Sequence, residues 1–454
     1  RCDCRSIAEP FVMPFTTGQL AHYVCGQLIG RDDIECKGAE IDTRRALRGK
    51  VFFALKGEHA DGHDFIEDAV QKGCSAVVVA KHVKCAEPVI IVECPRSALF
   101  ELALKRRDFV TGIVVAITGS VGKTTTKNLI ASLLGDESVC SPKSFNNDLG
   151  IPLTMLDAEG APIVVIEVGA NEVGEIPKLA TLVRPDVAVL TAIAPAHLEG
   201  FGSIEAIVKE KSSLLESLSE GGSAITGRNV DVSQANISCP VISVDDFPWS
   251  FSQLPTGQGV ITINGVDCKL QLLGEHNAMN GALAILAAEE AMKKINSKCP
   301  RVELQRMLAM VAPIEGRMSF HELDGTVFIN DAYNANPLSM KALLKFASKC
   351  EGRRKVLVLG DMLELGDDEK FEHEQLVSQV ASIDADVICL VGKAMRYACD
   401  GLPESTYFQD ATEVEIDSIA DLLIQGDMVF LKGSRGIGLE RVIGSFAQRK
   451  VLHP

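Results

Sequence analysis

The stretch Ile113-Val-Val-Ala-Ile-Thr-Gly-Ser-Val-Gly-Lys-Thr-Thr-Thr126 decides the fold. Its apolar run, 113–117, has strand length and is mostly β-branched. The run enters a turn with Gly119 and Gly122, and Lys123-Thr124 then opens a helical pattern. A buried strand, a glycine-rich turn and a helix start in this order make a cradle for a triphosphate. Backbone N–H groups wrap the anion, Lys123 offsets the β/γ charge, and the Thr124 hydroxyl is a ligand for Mg²⁺. The expected nucleotide contacts are Gly119, Ser120, Val121, Gly122, Lys123, Thr124 and Thr125. The usual G-x-x-x-x-G-K-[ST] pattern would put glycine where Ile117 stands. The shorter GxxGKT form points to one subclass of ATP-using enzymes.

Outward from this loop, strand and helix patterns alternate. Strands are expected at 163–168 and 187–190, and helices at 204–218 and 277–292. Such alternation predicts an α/β unit with a largely parallel sheet. Before it, 17–28 reads as a helix and 51–55, 76–80 and 89–92 as strands. The stretch 227–267, with Pro240, Pro248 and Pro255, reads as β-rich or loop. After Ala312-Pro313, strands at 327–329, 356–359, 387–391 and 428–431 alternate with helices in a second α/β unit. Three units follow: 1–110, 111–312 and 313–454.

Composition narrows the function. The 454 residues are 46% hydrophobic and 23% charged, enough to bury several cores and unlike a disordered chain. No apolar run approaches the ~20 residues a spanning helix needs, and residues 1–6 lack a signal-peptide core. A cytoplasmic protein without membrane insertion is expected. The net charge of −16 argues against a nucleic-acid partner, and 5% aromatic residues argue against a base-stacking platform. The 14 cysteines include no CxxC pair, Cys2 and Cys4 being one residue apart, so reduced thiols are expected.

A bound nucleotide needs an acid for its metal. Glu167 ends the strand at 163–166, where a carboxylate can hold Mg²⁺; the alternative is a strand-end acid facing water. His197, in Ala194-Pro-Ala-His-Leu-Glu-Gly-Phe201, is either a metal ligand or loop polarity. On the 204–218 helix, capped by Ser203, Lys211 falls on the apolar face with Ile207, Val208 and Leu215. There it is either a snorkelling side chain or a buried amine of lowered pKa, able to take up CO₂ as a carbamate.

These pieces, in this order, resemble the ATP-dependent Mur ligases. The resemblance spans nearly the whole chain: Asp42-Thr-Arg44, Asp61-Gly-His63, the loop 118–126, Ser144-Phe-Asn-Asn-Asp-Leu-Gly-Ile-Pro152 and Glu167-Val-Gly-Ala-Asn171. It continues through His197-Leu-Glu-Gly200, Gly274-Glu-His-Asn-Ala-Met-Asn280, Gly316-Arg317, Asn330-Asp-Ala-Tyr-Asn-Ala-Asn-Pro337, Gly360-Asp-Met-Leu-Glu-Leu-Gly366 and Lys432-Gly-Ser-Arg435. It implies a UDP-substrate unit (1–110), an ATP-binding P-loop unit (111–312) and a Rossmann-like unit for the acceptor (313–454). It further implies ATP and Mg²⁺ as cofactors, Thr124, Glu167, His197 and carbamylated Lys211 as metal ligands, and Asn277 and Asn280 at the nucleotide. Arg317 and Asp331 would reach ATP from the third unit, with Tyr333 and Asn334 near its adenine or ribose. Thr43 and Arg44 would hold the UDP end, and Asn146 and Asn147 the peptide or sugar, unless these pairs are ordinary turn residues. Asp361, Lys432, Ser434 and Arg435 would meet the acceptor or merely cap loops. Asn336-Pro337 equally makes an N-cap and N1 pair.

Within the family, the stretch 360–366 resembles the branch that adds D-alanyl-D-alanine to UDP-N-acetylmuramoyl-tripeptide, through an acyl phosphate, in peptidoglycan synthesis. An Asp-Asn-Pro-Arg acceptor motif, the mark of the diaminopimelate-adding sibling, is absent. The competing readings are a sibling or folylpolyglutamate-type ligase, and a catalytically inactive ATP-binding regulator. A monomer is expected. Nothing in the first unit distinguishes diaminopimelate from lysine as the tripeptide's third residue.

Overall fold

The protein is described as a computed structural model over residues 13–57, 60–142, 145–195 and 198–452. Cys2, Cys4, Ser144 and His197 lie outside the described residues. The central sheet is wholly parallel, in the order Val241–Ser243, Ser223–Thr226, Val187–Leu190, Ile113–Thr118, Ile163–Glu167, Ser138–Cys140. Its middle strands are continuous runs of Val, Ile, Ala and Leu buried on both faces, as a sheet covered by helices on both sides requires. Strand order reverses around Ile113–Thr118, so the crevice at its carboxyl end is the expected ligand position. Glu167 pairs in register with Ile117 and stands beside the entry to the glycine turn.

The first unit has the five-stranded order Gln27–Ile29, Val89–Ile91, Ala76–Val79, Val51–Phe53, Ala39–Glu40, with only the first pair antiparallel. One face merges with the central core: Phe53, Val78 and Ile90 join Leu99, Leu156 and Ile166 in one cluster. The predicted 17–28 helix is shorter, Thr17–Tyr23. Cys25 takes φ 51°, and a Cβ on Gly26 would lie 2.5 Å from Ile90 Cγ2, so the chain turns there into the strand Gln27–Ile29. The irregular stretch 227–267 contains the edge strand Val241–Ser243 and begins an antiparallel meander of Trp249–Gln253, Gly259–Ile263 and Val266–Lys269.

The third sheet runs Ser319–Leu323, Thr326–Asn330, Met428–Lys432, Lys355–Gly360, Val387–Val391, Thr406–Phe408. Only its first pair is antiparallel. Helix Pro337–Ser348 is fixed by a capping box: Asn336 Oδ1 accepts from Ser339 N, and Ser339 Oγ accepts from Asn336 N. Among the described residues no helix is long and apolar enough to cross a membrane, and no disulfide joins two cysteines.

Candidate active site

The strand Ile113–Thr118 delivers Gly119 at φ 145° and Gly122 at φ 84°, the latter opening helix Lys123–Leu134. Both glycines are required sterically. A Cβ on Gly119 would sit 2.1 Å from Thr191 Oγ1, and one on Gly122 2.6 Å from Asn280 Oδ1. The loop is also tied from the neighbouring strand. Ser120 N donates to Ala192 O (2.8 Å), Ser120 Oγ to Ala194 O (2.8 Å), and Thr191 Oγ1 to the carbonyls of Thr118 and Val121. Lys123 Nζ reaches back to Gly119 O at 2.7 Å. Burial lowers the Lys123 pKa; Glu167 opposes the fall and Arg317 adds to it.

Glu167 is only 1% exposed and is gripped on both oxygens. Thr124 Oγ1 donates to Oε2 at 2.7 Å and Asn146 Nδ2 to Oε1 at 2.9 Å. A hydroxyl and a carboxylate at the head of a phosphate loop are the hard oxygen donors that suit Mg²⁺. Among the described residues no three His, Cys, Asp or Glu side chains cluster as a metal site. Lys211 is 1% exposed on helix Ile204–Glu216, its amine 5.3 Å from the Phe201 ring centroid. Burial, with the charge of Lys123 second, pulls its pKa down to about 7.

The third unit completes a cavity of about 410 Å³. Arg317 Nη2 donates to Thr124 Oγ1 at 3.1 Å, and its guanidinium lies 4.2 Å from the Tyr333 ring centroid. The cavity brings Lys123, Thr124, Glu167, Asn146, Asn277 and Asn280 together with Arg317, Asp331, Tyr333, Asn334 and Lys432. Asn277 Nδ2 is held by Leu273 O, and Asn280 Nδ2 by Asn277 Oδ1. His276 and Asn171 also line it, and neither was singled out as a site residue from the sequence; nor was Thr191. Burial lowers the His276 pKa, with Asp331 opposing.

Lys432, at the cavity wall, and the remaining predicted residues have partners of their own. Lys432 Nζ is committed to Asp331 Oδ2 (2.6 Å) and Asn334 O (2.9 Å). Asp361 Oδ1 accepts from Met395 N at 2.8 Å, and Ser434 Oγ from Leu363 N at 2.9 Å, so both tie loops. Arg435 is exposed and pairs with Glu440 at 2.9 Å. Asn147 Oδ1 accepts from Leu149 N and Gly150 N at the start of helix Gly150–Asp157. In the first unit, exposed Arg44 pairs with Asp42, and the Thr43 carbonyl accepts from Lys72 Nζ. Thr43, Arg44, Asn147, Asp361, Ser434 and Arg435 are not in the 410 Å³ cavity wall.

Known proteins match along the same order. Residues 35–107 match the Mur ligase family catalytic domain, 117–288 the Mur ligase middle domain, and 316–435 the Mur ligase glutamate ligase domain. The UDP-N-acetylmuramoyl-tripeptide–D-alanyl-D-alanine ligase of Haemophilus influenzae is 32% identical, across 96% of this chain and 99% of its own. That of Bacillus subtilis is 33% identical, across 89% and 92%. The crystal structure of MurF from Acinetobacter baumannii is similar with a TM-score of 0.85 at 30% identity, covering 96% of this chain and 99% of its own. MurF from Thermotoga maritima in complex with ADP gives 0.77 at 26% identity, over 92% and 99%. On the loop, the cavity and this agreement, the chain belongs to the Mur ligase family.

Proposed function

We propose that this chain is the ATP-dependent ligase that adds D-alanyl-D-alanine to UDP-N-acetylmuramoyl-tripeptide in peptidoglycan synthesis. The similar ligases named above, matched over nearly their full length, support the reaction. The observation that carries the mechanism is the three-group contact in which Arg317 of the third unit meets Thr124, which meets Glu167.

The terminal carboxylate of the tripeptide attacks the γ-phosphorus in line; the bond to the bridging oxygen breaks and ADP departs. The amine of the dipeptide then attacks the acyl carbon, the C–O bond to phosphate breaks, and the amine's proton is lost as the amide forms. Lys123 and the N–H groups of Val121 and Gly122 offset the charge gathered on the phosphates, while the Ser120 N–H stays on Ala192 O. Mg²⁺, held by Thr124 and Glu167, adds Lewis-acid charge neutralisation when bound. Arg317 and Asp331 bring the third unit onto the nucleotide and keep water from the acyl phosphate. Asn277, Asn280, Tyr333 and Asn334 hold the rest of the nucleotide. Thr43 and Arg44 take the UDP end, and Asn146 and Asn147 the peptide, with units 1–110, 111–312 and 313–454 serving UDP substrate, ATP and acceptor.

Burial and a pKa near 7 support Lys211 as a carbamate: the neutral amine forms an N–C bond with CO₂ and releases a proton. His197 is proposed as a metal ligand together with it. The commitments of Lys432, Asp361 and Ser434 favour loop-holding roles and leave Arg435 as the candidate for the acceptor's carboxylate. The test is phosphate release measured with UDP-N-acetylmuramoyl-tripeptide, with and without D-alanyl-D-alanine. Release that requires both is expected; release indifferent to either overturns the function.

A further inference from the structure

A second cavity, of about 170 Å³, adjoins the first and shares Lys123, Asn146 and Asn171 with it. Its other walls include Asn147, Asp148, Glu175 and Lys178. The two acids here are held in different ways. Asp148 receives the Arg96 guanidinium at 2.5 and 2.8 Å, and Glu175 Oε2 accepts from the backbone of Asn171 (2.6 Å) and Glu172 (3.1 Å). Lys178, exposed on helix Glu175–Val183, forms no ion pair among the described residues. Its amine lies 5.2 Å from the Phe100 ring centroid, a contact that steadies the stem, and its charge acts on Asp148 through space without a direct pair. The cavity therefore offers a cation outside any ion pair, beside one carboxylate paired with Arg96 and one, Glu175, that keeps its negative charge.

The reaction itself says what enters. The tripeptide's terminal carboxylate must reach the γ-phosphate at Lys123, so the side chain of its third residue extends into space next to Lys123. A lysine side chain ends in an ammonium alone, which Glu175 can meet but which gives Lys178 no partner. A diaminopimelate side chain ends in a carbon bearing both an ammonium and a carboxylate, and that carboxylate meets the cation. We infer that Lys178 is a specificity residue, selecting the tripeptide whose third residue is the diamino diacid over the one ending in lysine. This rests on the ligase reading above.

The experiment measures kcat/KM with the diaminopimelate and the lysine forms of UDP-N-acetylmuramoyl-tripeptide, at saturating ATP and D-alanyl-D-alanine. The parent enzyme is expected to prefer the diaminopimelate form by about tenfold or more. Lys178→Ala should lower that ratio by roughly fivefold through KM alone, with the KM for ATP unchanged. Lys178→Glu should invert the preference, and Lys178→Arg should keep it, with thermal midpoints matching the parent. Equal use of the two nucleotides by the parent, or a ratio untouched by both Ala and Glu, overturns the inference alone. If neither nucleotide supports phosphate release, the ligase reading falls, and this inference with it.

Discussion

Lys211 in the central unit and Lys432 in the third are both 1% exposed, yet they are buried by opposite means. Lys432 ends a strand and is matched by the Asp331 carboxylate at 2.6 Å and two backbone carbonyls. Lys211 lies on a helix face against an aromatic ring, with the charge of Lys123 near enough to disfavour its own. A buried cation given an acid becomes a strut. One without a directly paired acid is drawn toward neutrality, its pKa pulled to about 7 although the charges of Glu210 and Glu175 oppose the fall, and is available for chemistry. The same contrast separates the crevices at the carboxyl ends of the two sheets: Thr124 and Glu167 line a cavity, whereas Asp361 and Ser434 satisfy their own loops.

The largest effect should come from a lysine that serves substrate directly. Lys123→Ala is expected to lower kcat by on the order of 10³ with little change in thermal midpoint. A loss below tenfold would remove Lys123 from the charge-neutralising role. Next comes the strut. Lys432→Met strands the Asp331 carboxylate and should cost about 3–5 kcal/mol in denaturant unfolding. Adding Asp331→Asn should recover part of that loss, and additive losses in the double variant would refute the pairing argument.

Lys211→Met should act with the opposite sign. Removing a buried amine that is forced toward neutrality should raise stability at pH 7, by about 1–3 kcal/mol in CO₂-free buffer, while activity is lost. The pH dependence follows from linkage. Folded Lys211 titrates near pH 7 and an unfolded lysine near 10.5, so between them the unfolded chain binds a proton the native one does not. The parent's stability should therefore climb from pH 7 to pH 10.5, and Lys211→Met should flatten that climb. An unchanged slope in urea unfolding across this window would mean the amine is not held neutral.

Much of this was legible in the sequence because the chemistry fixes spacing. A triphosphate needs glycines at fixed offsets before Lys123-Thr124, and Ser203 and Asn336 announce helix starts through caps that form as read. The apolar period also placed Lys211 on the inner face of its helix. What stayed hidden depends on partners remote in sequence. Thr191 braces the phosphate loop through two carbonyls some 70 residues away, and nothing local distinguishes it from any strand-end threonine. Lys432 before a glycine reads as a ligand-binding cation, and only the fold brings Asp331, 101 residues distant, to its amine. For the helix ended at Tyr23, Gly26 was the available signal, outweighed by an apolar spacing that ran on to Leu28.

Arg435 is where the strut and the ligand-binding cation can be told apart most finely, because its stability effect should be the smallest. Its pair with Glu440 is solvent-exposed, and such pairs contribute under about 1 kcal/mol, so Arg435→Ala should leave unfolding within roughly 0.5 kcal/mol of the parent. If it instead grips the dipeptide's terminal carboxylate, the loss appears only in the acceptor: KM for D-alanyl-D-alanine should rise about tenfold while KM for ATP holds. Steady-state kinetics varying each substrate in turn separates the two. An unchanged dipeptide KM would return Arg435 to the class of Asp361 and Ser434, and the acceptor's carboxylate would have to be held by another cation.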